Sequence, residues 1–359
     1  MACDQLAKEE VKMKNLLRLL LKTQHQQNRC RQDQTEKGMT LVELLVGAIM
    51  AFLIITPMLA FVVDMLNTDR REQVKSNTEQ DLQAAVDFIA QDLSQAIYIY
   101  DNGAIDSIKS NLPANKDKNK IPILVFWKRQ RLKDAIPINK AVTIKPKDCD
   151  TNEDNRKQCN DTDVLSLVAY YQFKDEDKTW CQPNGATCPT RIARYEIRDG
   201  LRNPDAKDIN NPYYPLEDTK ESQQRDVAFD REFTLNKPTE KVTVIGELVN
   251  SKGAKNSQVL LNYIDHNSVA LADDECRKAL DSPKDSKTAE KLPEDTLRVS
   301  DKDTNSFYAC VDTAKNLARV TIRGNSLRRL QTDAKYDANK SAFFPTATVQ
   351  VKGLGARGK

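Results

Sequence analysis

The sequence predicts an α+β fold, a long N-terminal transmembrane and amphipathic helix followed by an antiparallel β-sheet domain, and three observations carry that prediction. The first is the run from Leu44 to Val63, twenty residues without a charge. At about 1.5 Å per helical residue such a run covers the roughly 30 Å of bilayer hydrocarbon. The second is the recurrence of Leu82, Val86, Ile89, Leu93, Ala96 and Tyr100 at spacings of three and four, which marks one face of a helix. The third is a series of β-branched or aromatic runs after Lys120, most of them bounded by Asn, Asp, Gly or Pro.

Taken in order, residues 1–38 form a basic leader with eight Lys/Arg against five Asp/Glu. The formal net charge of the whole chain is +3, so all of it sits in the leader. Positive-inside asymmetry then places the N-terminus in the cytoplasm, residues 39–63 in the inner membrane and Asp64 onward outside. Leu16, Leu17 and Leu19 to Leu21, interleaved with Lys14, Arg18 and Lys22, suit either a short amphipathic helix on the inner membrane face or a solvated leader. Residues 64–100 are expected to continue the same helix, as a polar neck through Asp69, Arg70, Arg71 and Glu72 and then an amphipathic part ending near Ile99. Pro57 removes one backbone hydrogen bond within the span and predicts a kink or loosening there. Asn102-Gly103 reads as the helix stop.

Residues 101–359 are expected to be the exported β-rich domain. The strand-like runs are Ile121 to Trp127, Val164 to Phe173, Arg191 to Ile197, Val242 to Val249, Val259 to Ile264, Phe307 to Val311, Ala318 to Ile322 and Thr346 to Val351. Leu201 to Arg225 and Asp281 to Asp295, rich in Asp, Lys, Asn and Pro, read as surface excursions. Six cysteines lie in this part, Cys149, Cys159, Cys181, Cys188, Cys276 and Cys310. An even number in an oxidising compartment implies three disulfides. Six cysteines allow 15 connectivities, and closeness in sequence favours Cys149 with Cys159, Cys181 with Cys188, and Cys276 with Cys310. No C-x-x-C pair exists and the only histidines are His25 and His266, a poor donor set for zinc.

An acidic side chain deep in a transmembrane helix costs about 2.5 to 3.5 kcal/mol on insertion scales, so Glu43 at the mouth of the apolar run needs a reason. Lys37-Gly38-Met39-Thr40-Leu41-Val42-Glu43-Leu44-Leu45 resembles the start of type IV pilins and pseudopilins, whose precursors carry a basic leader ending in Gly, then Phe or Met, with Glu as the fifth mature residue. The resemblance implies that a prepilin peptidase cuts between Gly38 and Met39 and methylates the new amine. It also implies that Glu43 pairs with the N-terminal amine of a neighbouring subunit and so sets register during fibre assembly. Buried ion pairs serve register better than stability. The plain alternative is a signal anchor whose Glu43 snorkels to the headgroups.

Three further stretches are weighed for chemistry. Asp148, Asp150, Asn152, Glu153, Asp154, Asn155, Asn160, Asp161 and Asp163 crowd around Cys149 and Cys159. That oxygen density could hold a structural calcium, although without EF-hand spacing and with Arg156 and Lys157 intervening a solvated acidic loop is the preferred reading. No other cofactor is expected. From Arg319 to Lys359 basic residues dominate, and Arg319, Arg323, Arg328 and Arg329 are candidates for holding an acidic polysaccharide or DNA, against the alternative of a basic face balanced elsewhere. Phe343-Phe344 reads as core sooner than as a stacking platform. Enzyme signatures are missing: no phosphate-cradling Gly loop, no G-x-S-x-G, no H-E-x-x-H.

Phe307-Tyr308-Ala309-Cys310-Val311-Asp312, Ala318-Arg319-Val320-Thr321-Ile322-Arg323-Gly324-Asn325 and Phe343-Phe344-Pro345-Thr346-Ala347-Thr348-Val349-Gln350-Val351 resemble the pseudopilins of cyanobacterial hormogonium polysaccharide secretion. That second resemblance implies a minor, non-enzymatic subunit of a secretion fibre supporting exopolysaccharide export and gliding motility. Its implied partners are other pseudopilins, the prepilin peptidase, an assembly ATPase and an inner-membrane platform protein. The competing expectation is a surface adhesin or DNA-uptake pilin that captures an acidic polymer through the basic C-terminal region.

Overall fold

The computed structural model describes residues 40–114, 117–139, 143–174, 176–185, 187–208, 211–226, 229, 257–266, 270–280, 293–301 and 304–356. The leader, the Gly38–Met39 junction, the expected strand Val242 to Val249 and most of the excursion from Asp281 lie outside these residues. The described residues divide into two units, residues 40–66 and the residues from Asn67 onward.

Helix α1 covers Leu41–Ser94 without a break, with Pro57 inside it. Thr40 starts it: the amides of Glu43 and Leu44 donate to the Thr40 carbonyl at 2.9 and 3.2 Å, which satisfies two of the donors that every helix start leaves open. In the first unit every described residue from Leu41 to Leu66 is exposed, including Leu41, Phe52 and Phe61. In the second unit Thr78, Leu82, Ala85, Val86, Ile89, Asp92 and Leu93 of the same helix are buried.

The helix ends earlier than its apolar period predicts. Ala96–Ile99 is strand β1, and Asn102-Gly103, expected to end a helix, instead opens α2, Asn102–Ile108. The local chemistry explains both corrections. Ile97, Tyr98 and Ile99 are β-branched or aromatic and suit a pleated strand, and Tyr98 and Ile99 stand opposite Trp127 and Phe126. The Asp101 carboxylate accepts a hydrogen bond from the Ala104 amide at 2.8 Å, an N-cap that favours a fresh start.

Two antiparallel sheets follow where one was expected. The first runs β1-β2-β3-β4-β5 in spatial order, with β2 Lys120–Pro137, β3 Cys159–Phe173, β4 Thr190–Arg198 and β5 Ser257–Ile264. The second runs β6-β7-β8-β9, with β6 Arg298–Ser300, β7 Phe307–Asp312, β8 Leu317–Arg323 and β9 Thr346–Lys352. An antiparallel bridge between Ile264 and Gly324 joins them. One core serves both: Leu82, Val86, Ile89 and Leu93 of α1 pack with Phe126, Val168 and Ile192 of the first sheet and Phe307, Val320 and Ile322 of the second.

Short helices complete the domain: α3 Glu153–Arg156, α4 Glu275–Ala279 and α5 Glu294–Leu297. Disulfides join Cys149 to Cys159, Cys181 to Cys188 and Cys276 to Cys310. The excursion from Leu201 to Arg225 is built on Asp199, whose carboxylate accepts from the Tyr213 hydroxyl at 2.7 Å and from Arg202 at 3.2 Å. Leu201 at its base is buried.

The segment after β9 closes on β1. A Cβ at Gly355 would stand 1.9 Å from the Ile97 carbonyl oxygen, and one at Gly353 would stand 2.3 Å from that of Ala96. Backbone against backbone leaves no room for a side chain, so Gly355→Ala must push the tail off β1. Overpacking of this kind costs about 1 to 3 kcal/mol. A lowered urea midpoint with an unchanged slope is the expected result, and an unaltered midpoint would mean that the tail yields freely.

Candidate functional site

The residues singled out by sequence fall in separate places. Glu43 lies in the first turn of α1 on fully exposed helix, where an acidic group suits the positive end of the helix dipole. The span that follows it is the one described helix long and apolar enough to cross a membrane, and none of its apolar window is buried. Among the described residues this is the largest stretch of uncovered apolar surface, and such surface in water calls for lipid or another helix.

Three of the basic C-terminal candidates are engaged inside the fold. Arg328 is 3% exposed, and its guanidinium donates to the Pro183 carbonyl at 2.7 Å and the Thr187 carbonyl at 3.0 Å. It therefore braces the loop that Cys181 and Cys188 close. Arg323 pairs with Asp265 at 2.7 Å and lies over the Tyr336 ring. Arg329 pairs with Asp81 of α1 and lies over Tyr263. Arg319, on β8, is half-buried, as are Arg323 and Arg329. The sequence showed a run of charge but not the carbonyls and carboxylates that the fold brings to it. Phe344 is buried against Tyr336, as core.

The acidic stretch around Cys149 and Cys159 is met by cations. Asp150 pairs with Lys220 at 2.5 Å, Asp161 with Arg131 at 2.9 Å, and Asp163 with Arg129 at 3.1 Å. No group of three or more His, Cys, Asp or Glu side chains among the described residues is placed to hold a metal.

The site that sequence reasoning missed is a buried ionic cluster between the last turns of α1 and three strands. Asp92 accepts hydrogen bonds from Lys128 of β2 at 3.0 Å, Tyr170 of β3 at 2.7 Å and Arg194 of β4 at 2.7 Å. Glu196 of β4 stands 3.1 Å from Lys128 and 2.9 Å from Arg194, so two carboxylates face two cations. Arg194 also lies over the Phe88 ring, 5.6 Å from its centre. Burial works against the Asp92 carboxylate, yet the hydrogen bond and charge of Arg194, with Lys128 and Tyr170, hold its pKa below the ordinary value. Glu196 is held down in the same way against burial, by Arg194 and Lys128. Burial and the neighbouring Asp92 push the Tyr170 hydroxyl well up. Both carboxylates are therefore charged and the Tyr170 hydroxyl keeps its proton at neutral pH, and the chemistry is that of a clasp between helix and sheet.

The four charged partners lie on three elements far apart in sequence, which is why no local pattern announced them. Compared with protein-family models, with curated proteins and with solved structures, the chain finds no match.

Proposed function

We propose that this chain is a minor subunit of a type IV pilin-like secretion fibre, held in the inner membrane by α1 with its sheets on the outer side. The observation that carries the reading is the composition of α1: twenty uncharged residues open at Glu43, exposed throughout, and the same helix goes on to form the core of an α+β domain. An exposed apolar helix is costly in water and useful in a bilayer or a helical bundle of subunits. A carboxylate at its mouth gives such a bundle a single polar contact through which register can be set. Export of an exopolysaccharide in support of gliding, with other pseudopilins, an assembly ATPase and a platform protein as partners, is the role we assign to the fibre. The engagement of Arg323, Arg328 and Arg329 inside the fold weighs against the adhesin or DNA-uptake alternative.

Intact mass and N-terminal sequencing of the protein from host membranes test this directly. A chain beginning at methylated Met39 is expected; a chain still beginning at Met1 would sink the proposal. Glu43→Ala should insert normally yet be absent from sheared or cross-linked fibres. Retention of the variant in fibres at the wild-type level would leave a simple anchor as the better account.

A further inference from the structure

The apolar face of α1 admits a second seating on the sheets. Moved by four residues, the sites of Thr78, Leu82, Ala85, Val86, Ile89, Asp92 and Leu93 would be taken by Leu82, Val86, Ile89, Ala90, Leu93, Ala96 and Ile97. Every replacement is apolar, and the helix would run on through Ala96 and Ile97 as its period allows. The apolar pattern of the helix alone therefore does not choose between the two seatings, although side-chain volume changes at each site. In charge the two differ at a single site: Asp92 is the only charged residue among the buried positions of the helix. In the shifted seating Ala96 would face Lys128 and Arg194, leaving two buried cations to share Glu196 and the Tyr170 hydroxyl without its acceptor.

We infer that Asp92 is a positioning residue, and that its cluster with Lys128, Tyr170, Arg194 and Glu196 selects the register of α1 on the sheets and the point where the helix gives way to β1. A single polar group in an apolar seam fixes register in this way in helical coils, at some expense of stability. In the observed register the helix stops at Ser94 and Ala96–Ile99 is released to pair with β2. The cluster thus decides between two structures that the apolar pattern allows. The inference concerns the second unit alone and does not rest on the fibre reading, so either can fail without the other.

The test is a distance measurement on the full chain in detergent, with Cys3 and Cys30 changed to Ser and spin labels at Glu79→Cys and Gln350→Cys, both exposed positions. With the native cluster one narrow distance is expected. In the apolar version, Asp92→Leu with Lys128→Met, Tyr170→Phe, Arg194→Met and Glu196→Gln, a second population displaced by up to about 6 Å is expected, four residues of helical rise. Amide exchange at Ala96–Ile99 should change with it. A single, unshifted distance in the folded apolar version overturns the inference. Relocating the acid is the second arm: Asp92→Ala with Ala96→Asp should drag the helix to the shifted seating, and a folded protein with the wild-type distance overturns the inference again. Failure of both variants to fold counts against it too, because the inference requires that the alternative seating be viable.

Discussion

Replacing Asp92 by alanine is expected to lower the unfolding free energy by about 3 to 5 kcal/mol, the range for breaking a buried ion pair from one side. The substitution removes the acceptor of three hydrogen bonds at once. It leaves Lys128 and Arg194, 6% and 8% exposed, facing one remaining carboxylate. The loss comes mainly from stranded partners, so it should be far larger than the loss from Asp87→Ala, an exposed helix position one and a half turns earlier. Urea unfolding followed by far-ultraviolet circular dichroism would measure the difference, and equal midpoints for the two variants would refute the account.

The same cluster sets an acid limit. Both Asp92 and Glu196 have folded pKa values depressed below their ordinary ones. A depressed carboxylate gives stability that is complete above its unfolded pKa, about 3.9 for Asp and 4.3 for Glu, and is lost as the pH falls through the folded value. The gap between wild type and Asp92→Ala should thus be widest near pH 7 and narrow below about pH 4. Asp226 acts in the opposite sense, since burial raises its pKa despite the amide and charge of Arg198. It is present in both proteins and cancels in the comparison.

Removing the Cys276–Cys310 bridge as the paired alanine variant should cost about 4 kcal/mol, the chain-entropy value for its sequence separation of 34. The corresponding values are about 3 kcal/mol for Cys149–Cys159 and about 2 kcal/mol for Cys181–Cys188, with separations of 10 and 7. Helix α4 is tied to α5 and β7 as well as by this bridge. Cys276, Leu280, Leu297, Tyr308 and Cys310 form a satellite core apart from the main one. The Glu294 carboxylate accepts from the Cys276 amide at 2.7 Å and the Arg277 amide at 3.1 Å. Alanine is the better replacement because both sulfurs are fully buried and a serine hydroxyl would lack a partner. The expected signature is a lowered thermal midpoint with early proteolytic cleavage around α4. If the three bridge deletions lower the midpoint in the reverse order, loop closure is not what these bridges supply.

Strands rich in β-branched or aromatic residues were legible from sequence, among them β4, β7, β8 and β9. Their side chains need only a pleated, half-buried surface to make sense. The second half of β2 was not, because Lys128-Arg129-Gln130-Arg131-Leu132-Lys133-Asp134 reads as a solvated loop. It becomes strand by pairing with an acidic stretch of β3, where Arg129 meets Asp163 and Arg131 meets Asp161. β1 was hidden for the opposite reason: Ala96 and Tyr100 prolong the helical period, and only tertiary groups outside the segment end it. Glu43 stood out because a charge beside twenty uncharged residues is anomalous in one dimension. Asp92 did not, since its anomaly exists only once the fold has brought Lys128 and Arg194 to it.

The closure on β1 has a consequence for the order in which the domain can be completed. The Asn316 side chain donates to the Ala96 carbonyl at 3.0 Å across 220 residues of chain, and Gly353 and Gly355 press on the same stretch. Contacts of such separation form after local hairpins, because the loop must be closed before the contact repays it. A chain threaded through a membrane with its helix leading would deliver β1 among the first strands and its cover among the last. Until that cover arrives the strand would wait with one flank bare, and the domain would seal only once β9 and the glycines behind it are in place.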